Sequence, residues 1–325
     1  MIHYRVVHVL RLAREVVLPL MLGGVLWVVS APVRAADSQP VQVVASFSVL
    51  GDMAREIGGR HVNVVTIVGP NADAHAFEPT PQSVQSLANA QVLISNGLDF
   101  EAWLPRLIKS SGFTGEHIVA SSGASVRALQ SGDAQHGHHH PAGSIDPHAW
   151  QNLKNGMVYA RNIADGLARA DPLHASDYQR RAKKYVATMQ KLDVEVRAAL
   201  DVIPAQYRKA VTAHDAFGYF GDEYGIEFIP LAGLANTAEP SAQDVAALID
   251  RLRQESRIGI FPEKVSNPKL IEQLAREANV VVGGALFSDA LDNPDEPAGT
   301  YLGMYHWNAG QLISVLKSDK TRQAD

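Results

Sequence analysis

Short runs of apolar, β-branched residues alternate with helical patterns along most of the chain, and this alternation sets the fold class. VQVVASF (41–47), HVNVVTIVG (61–69), AQVLISNG (90–97) and EHIVAS (116–121) form one series; KAVTAHDAF (209–217), IEFIPLAG (226–233), RIGIFPEK (257–264) and NVVVGGALF (279–287) form a second. Strands separated by crossover helices run parallel, because each helix returns the chain to the same end of the sheet. The expected architecture is therefore α/β, with two similar βα lobes built on parallel sheets. Between the two series lies HASDYQRRAKKYVATMQKLDVEVRAALDVIP (174–204). Its Tyr178, Tyr185, Met189, Leu192, Val196 and Leu200 recur near spacings of three, four and seven, which draws one apolar stripe along a helix. Ser176 or Asp177 is placed as the N-cap, and Pro204 limits the far end. A helix of roughly 25 residues is about 38 Å long, enough to run beside both lobes as a stiff connection. The expected boundaries are an N-terminal lobe over 36–173, a connecting helix over 174–203 and a C-terminal lobe over 204–325.

Residues 1–35 are different material. Arg5, Arg11 and Arg14 precede the apolar run VVLPLMLGGVLWVVS (16–30), and APVRA follows with small residues before Ala35. That order of charged, apolar and small-residue regions reads as a cleavable signal peptide, and Pro19 with the short apolar run argues against a spanning helix. Cleavage would remove four of the 29 basic residues and one of the 34 acidic ones, leaving a formal charge of about −8. An acidic, exported chain is a poor partner for nucleic acid or anionic lipid. It contains no cysteine, so any metal site must be built from His, Asp, Glu or water, and a lipid-bearing cysteine is not expected.

The thirteen histidines are unevenly spread. HGHHHPAGSIDPHAW (136–150) holds five of them, at the end of a Gly-, Ser- and His-rich stretch (121–144) that reads as an exposed loop within the first lobe. His61, His117, His174 and His306 lack a local polar constellation and read as surface or satisfied core residues. Three others stand beside strand ends or helix starts. His75 lies in NADAHAFEPTP, His148 in IDPHAWQN and His214 in VTAHDAFGYF; Asp289 follows the last strong apolar run in GALFSDAL. Each alone is equally a turn, cap or helix-start residue. Together they are two candidate ligands from each half, at the strand ends where open α/β sheets place their ligands. Three imidazoles and a carboxylate supply four donors for a tetrahedral ion and leave no position for a reactive water, which favours binding over catalysis. HExxH, GxSxG, Walker A and GxGxxG patterns are absent from the sequence.

At these residues the chain resembles the periplasmic metal-binding proteins of ABC transporters that import zinc or manganese, the zinc-uptake and manganese-adhesin type (cluster A-I). The resemblance spans residues 40–318 and is carried by SFSVLGDMAREIGG, NADAHAFEPTP, DPHAWQN, TAHDAFGYF, FPEKVSNPK, LFSDAL and TYLGMYHWNAGQL. It implies that His75, His148, His214 and Asp289 coordinate one metal in the cleft between the lobes, and that the long helix is rigid and lobe movement modest. Manganese members usually carry Glu where this chain has His214, and nitrogen-rich sites suit zinc, so Zn²⁺ is the expected ion. The resemblance further implies a freely diffusing periplasmic monomer that delivers zinc to a permease with its cytoplasmic ATPase; a zinc-donating chaperone is a further candidate partner. His136, His138, His139 and His140 match the histidine-rich loop of zinc members and are expected to be accessory ligands. Glu78 and Asp215 are weighed as orienting carboxylates for His75 and His214 and left outside the ligand set. The competing readings are a manganese or iron importer of the same fold, a zinc hydrolase in which Asp289 stays off the metal, and a zinc-storage or adhesin protein.

Overall fold

The structure, a computed structural model, describes residues 39–128, 144–233, 242–254 and 258–317. The expected signal segment and the histidines at 136–140 lie outside the described residues. The first series forms β1 (Val41–Phe47), β2 (Val62–Val68), β3 (Val92–Ser95) and β4 (Glu116–Val119), with α1 (Ser48–Gly58), α2 (Pro81–Ala88) and α3 (Leu104–Ser111) as the crossovers. These strands make one parallel sheet in the order β2-β1-β3-β4. All four residues of β3 are buried and six of seven in β1, as expected of parallel strands covered on both faces. After α4 (Leu153–Ala170) and α5 (Ala175–Leu200), the second series forms β5 (Lys209–His214), β6 (Glu227–Ala232) and β7 (Gly259–Ile260), a parallel sheet in the order β6-β5-β7. Its helices are α6 (Gly218–Tyr224), α7 (Ala242–Gln254) and α8 (Lys269–Ala278), and α9 (Tyr301–Leu316) follows.

The run at 279–287 departs from its expectation as a full strand. It touches its neighbours through two parallel bridges, Ile260 with Val282 and Glu263 with Leu286. Gly283 lies between them, and a Cβ there would stand 2.4 Å from the Phe261 ring, so the backbone is pressed against that ring instead of continuing a regular ladder. These bridges still place the segment beside β7, where it mirrors the position of β4 in the first sheet.

α5 carries the stripe that the spacing predicts: Tyr178, Tyr185, Met189, Leu192, Val196 and Leu200 are all buried. Its start differs. The helix begins at Ala175 after a 3₁₀ turn, Pro172–His174, so Ser176 and Asp177 are inside the first turn and neither is the N-cap. Asp171 accounts for this start by accepting from Tyr178 Oη and pairing with His174 Nδ1, both at 2.7 Å. Asp177 pairs with Arg180 and with His61 Nε2, and the His61 ring stacks on His174 at 3.9 Å.

One hydrophobic core runs through both series. It includes Phe47 and Leu50 from the first, Phe220 and Phe261 from the second, and the inner face of α5; a smaller cluster around Val211, Ile229 and Leu274 lies under the second sheet. α5 packs on α4, α1 and α9, so the C-terminal helix closes back on the first half. Tyr301 and Tyr305 on α9 both donate from Oη to the Trp150 carbonyl, at 2.6 and 2.9 Å. The Tyr301 amide donates to Asp52 Oδ2 at 2.8 Å.

Burial raises the Asp52 carboxyl to about 6, against the lowering effect of that amide. The folded state thus favours protonated Asp52, a contribution present below the ordinary value near 3.8 and lost as pH rises through 6. Asp52→Asn keeps an acceptor for the amide and is expected to raise stability by about 1–2 kcal/mol at pH 8 with little gain at pH 4, measured by urea unfolding at both pH values.

Candidate metal centre

The four sequence candidates come together at the C-terminal edges of the two sheets. His75 sits in the loop between β2 and α2, ahead of a helix start fixed by Thr80, which accepts from Ser83 N, and by Pro81. His148 directly precedes the 3₁₀ turn Ala149–Gln151 that leads into α4. His214 is the last residue of β5, and Asp289 lies three residues beyond the Leu286 bridge. One donor atom from each of the four lies within 4.8 Å of the others. His75 Nε2 and His148 Nε2 are 3.2 Å apart, and Asp289 reaches His75 Nε2 at 3.6 Å, His148 Nε2 at 3.5 Å and His214 Nε2 at 3.0 Å. Tetrahedral bonds of 2.0–2.2 Å would place neighbouring donors about 3.3–3.6 Å apart, a range in or near which these four distances fall.

The setting is dry. His148, His214 and Asp289 have no exposed side-chain surface, whereas the His75 side chain is 10% exposed. The Phe100 ring meets His75 edge-on at 4.6 Å, and Trp150 flanks His148 at 5.3 Å. Phe100 is delivered by a turn in which Gly97, Leu98 and Asp99 all have positive φ. Trp103 Nε1 donates to the Ala74 carbonyl at 2.9 Å and pins the His75 loop. A cavity of about 380 Å³, lined by His75, Phe77, Glu78, Trp103 and Arg106 among others, opens on His75.

Two buried carboxylates orient the rings from behind. Asp146 Oδ1 accepts from His148 N at 3.0 Å and lies 2.8 Å from His148 Nδ1, turning Nε2 toward the other donors. Glu263 Oε1 accepts from His214 N at 2.9 Å, and its Oε2 lies 2.7 Å from His214 Nδ1. Such carboxylate–imidazole pairs fix ring orientation and strengthen the outward nitrogen as a donor. Of the carboxylates weighed from the sequence, Glu78 is exposed and lines the cavity beside His75, while at His214 it is Glu263 that lies 2.7 Å from Nδ1. Asp146 stands two residues before His148 in IDPH, a proximity that was available as a signal; Glu263 is 49 residues from His214, and no local pattern announces it.

Charge is unevenly placed. Burial pushes the His75 imidazole down to about 4, assisted by His148 and His214 and opposed by Asp289. Burial also acts to lower His214, but Glu263 and Asp289 prevail and hold it well above the ordinary imidazole value. Asp289 is held far below the usual carboxylate range, because His214 and His148 outweigh its burial. Both Asp289 oxygens, both His214 ring nitrogens and Glu263 Oε2 are buried without a well-formed hydrogen bond, and three of these, the Asp289 oxygens and His214 Nε2, belong to the donor group. Buried polar atoms in proteins are ordinarily satisfied, and a divalent cation is a partner that would satisfy these three at once.

The family described as "Zinc-uptake complex component A periplasmic" matches residues 43–315. The chain belongs to this family. It is therefore a metal-binding substrate-binding protein of an ABC importer, a transport component and not an enzyme, which works with a permease and its ATPase. The manganese-binding lipoprotein MntA of Bacillus subtilis is 31% identical, covering 87% of this chain and 92% of its own. The iron ABC transporter substrate-binding lipoprotein MtsA of Streptococcus pyogenes serotype M1 is 29% identical over 88% of this chain and 92% of its own. Among solved structures, the periplasmic zinc-binding protein TroA of Treponema pallidum superposes with a TM-score of 0.77 at 29% identity, covering 86% of this chain and 99% of its own. The Mn-bound periplasmic metal-binding protein of Candidatus Liberibacter asiaticus gives 0.73 at 25% identity, covering 86% and 100%.

If Asp146 and Glu263 orient the donor imidazoles, Asp146→Asn and Glu263→Gln should each weaken metal affinity by about 10–100-fold while leaving one ion per chain, measured by competition with a chromogenic chelator. Unchanged affinity in both would remove them from the site.

Proposed function

We propose that this protein captures one zinc ion in the periplasm on His75, His148, His214 and Asp289 and delivers it to the permease. The observation that carries this reading is the convergence of three imidazole nitrogens and one carboxylate within 4.8 Å of one another, with Asp289 at 3.0–3.6 Å from each imidazole. Nitrogen-rich donor sets suit zinc, whereas manganese favours oxygen. His75, with its partly exposed ring at the cavity, is the first contact for an arriving ion. His148, His214 and Asp289 then complete its shell in the buried interior. Periplasmic residence follows from reading residues 1–35 as a cleaved signal peptide, and a monomer is the state in which we picture the protein acting. His136, His138, His139 and His140 are assigned an accessory role in collecting zinc or accepting it from a donor protein.

A second reading has an observation of its own, since MntA and MtsA are named for manganese and iron. Competition decides between them. Zinc is expected to displace manganese from the metal-free protein at equal concentrations, and the reverse preference would establish the manganese or iron reading. His75→Ala and Asp289→Ala should each abolish tight one-to-one zinc binding; a parent-like titration would show that the ion lies elsewhere.

The electrostatics give the pH dependence. Metal binding requires deprotonated donors, and His214 is held above its ordinary value by Glu263 and Asp289. Zinc binding at neutral pH should therefore release about one proton per chain, read by calorimetry in buffers of different ionisation enthalpy. Because the His214 proton must leave before an ion binds, affinity should fall steadily as pH drops from above neutrality toward 5. A flat affinity between pH 7 and 5, with no proton released, would count against an imidazole site.

A further inference from the structure

Arg127 reaches the metal centre from behind and touches both halves of the molecule there. Its guanidinium Nη1 lies 3.4 Å from Asp146 Oδ2, on the carboxylate whose other oxygen orients His148. Its Nε donates to Asp222 Oδ2 at 3.2 Å, on α6, the helix that begins four residues after His214. The backbone closes a ring around this contact. Arg127 N donates to Tyr219 Oη at 2.9 Å, Tyr219 Oη donates to the Asp146 carbonyl at 2.8 Å, and Asp146 N donates to the Arg127 carbonyl at 2.9 Å. The first residue of α6 makes room for the side chain: a Cβ on Gly218 would stand 2.6 Å from Nη1 and 2.7 Å from Cζ.

We infer that Arg127 is a positioning residue for metal retention, which holds Asp146, and through it the His148 imidazole, in register with the half that carries His214. The inference rests on the metal-site reading above. Asp146 is completely buried, and a buried carboxylate is tolerated when its free oxygen has a charged partner. Arginine suits this place because its planar fork presents donors to two carboxylates at once, which a lysine ammonium on a flexible stem does not reproduce. Coordination tolerates only about 0.2 Å in a ligand distance, so loosening Asp146 lets His148 wander off the ion. The effect falls on release more than on capture, since the clamp acts on a ligand already in place. The connection is also short: Asp222, whose side chain is 70% exposed, is linked to a buried metal donor through Arg127 and Asp146 alone.

The test is the zinc dissociation rate of the full chain, followed after mixing with excess chelator. Arg127→Met should speed zinc loss by about 10–100-fold while the stoichiometry stays at one. Arg127→Lys should restore little of that loss. Gly218→Ala keeps every charge and displaces only the guanidinium, so faster release in this variant separates positioning from general destabilisation. The pair Arg127→Met and Asp146→Asn should be non-additive, because the first acts through the second. Parent-like release from both Arg127→Met and Gly218→Ala overturns the inference, and so does full additivity with Asp146→Asn. His148→Ala is the control for the underlying reading: if that variant keeps tight zinc, the site assignment fails, whatever Arg127 does.

Discussion

Asp289 is the point on which the arrangement turns. Its carboxylate is fully buried, yet its oxygens approach three imidazoles at 3.0–3.6 Å. A carboxylate in such a place is costly unless positive charge faces it. His214 supplies that charge in the metal-free protein, because Glu263 and Asp289 on either side hold it protonated against the effect of burial. The metal-free site is thus an ion pair standing where an ion would go. On the metal-site reading proposed above, a divalent cation would take the place of that proton, with Asp289 as a donor and Glu263 still behind His214. Capture would then be an exchange of one positive partner for another beside Asp289.

That exchange requires segments far apart in sequence to meet within an ångström or so of a fixed geometry. Parallel sheets supply the direct part of the solution, since every strand ends at the same edge and its loops project from there. The indirect part is rigidity. α5 packs on α1, α4 and α9, and α9 returns to the first half through Tyr301, Tyr305 and the Trp150 carbonyl. Trp150 itself donates to the Ser288 carbonyl at 2.9 Å, beside Asp289. The carbonyl that receives both tyrosines therefore belongs to a residue two places after one ligand, and its indole grips the residue next to another. One continuous core lies behind all four donors.

Much of this was legible in the sequence, and the reasons differ by element. The β-branched runs announced both sheets, and the stripe on α5 was readable because one face of a long helix must be apolar to pack. His75, His148, His214 and Asp289 stood out through residue type and position at strand ends. What escaped was local chemistry that overrides pattern. Asp171 moved the start of α5 by capturing His174 and Tyr178, and an apparent strand packed on the Phe261 ring at Gly283 is reduced to two bridges, at Val282 and Leu286. The orienting groups were hidden for a different reason. Glu263 and Arg127 act across the fold, where neither spacing nor periodicity records which group they face, whereas Asp146 stands only two residues from His148.

The same distinction bears on how a shared fold takes different ions. TroA, named for zinc, and a manganese-bound protein superpose on this chain with TM-scores of 0.77 and 0.73, so the backbone frame does not choose the metal. On the four-donor reading proposed above, donor atoms would make the choice and position 214 would be the natural lever. A glutamate there would add oxygen to the site but would also stand in a buried position against Glu263, which now touches His214 at 2.7 Å. Two carboxylates that close resist joint ionisation, and one would hold a proton or move away. An imidazole at 214 and a carboxylate at 263 are therefore a matched pair, and a change of donor at the first carries a physical demand on the second.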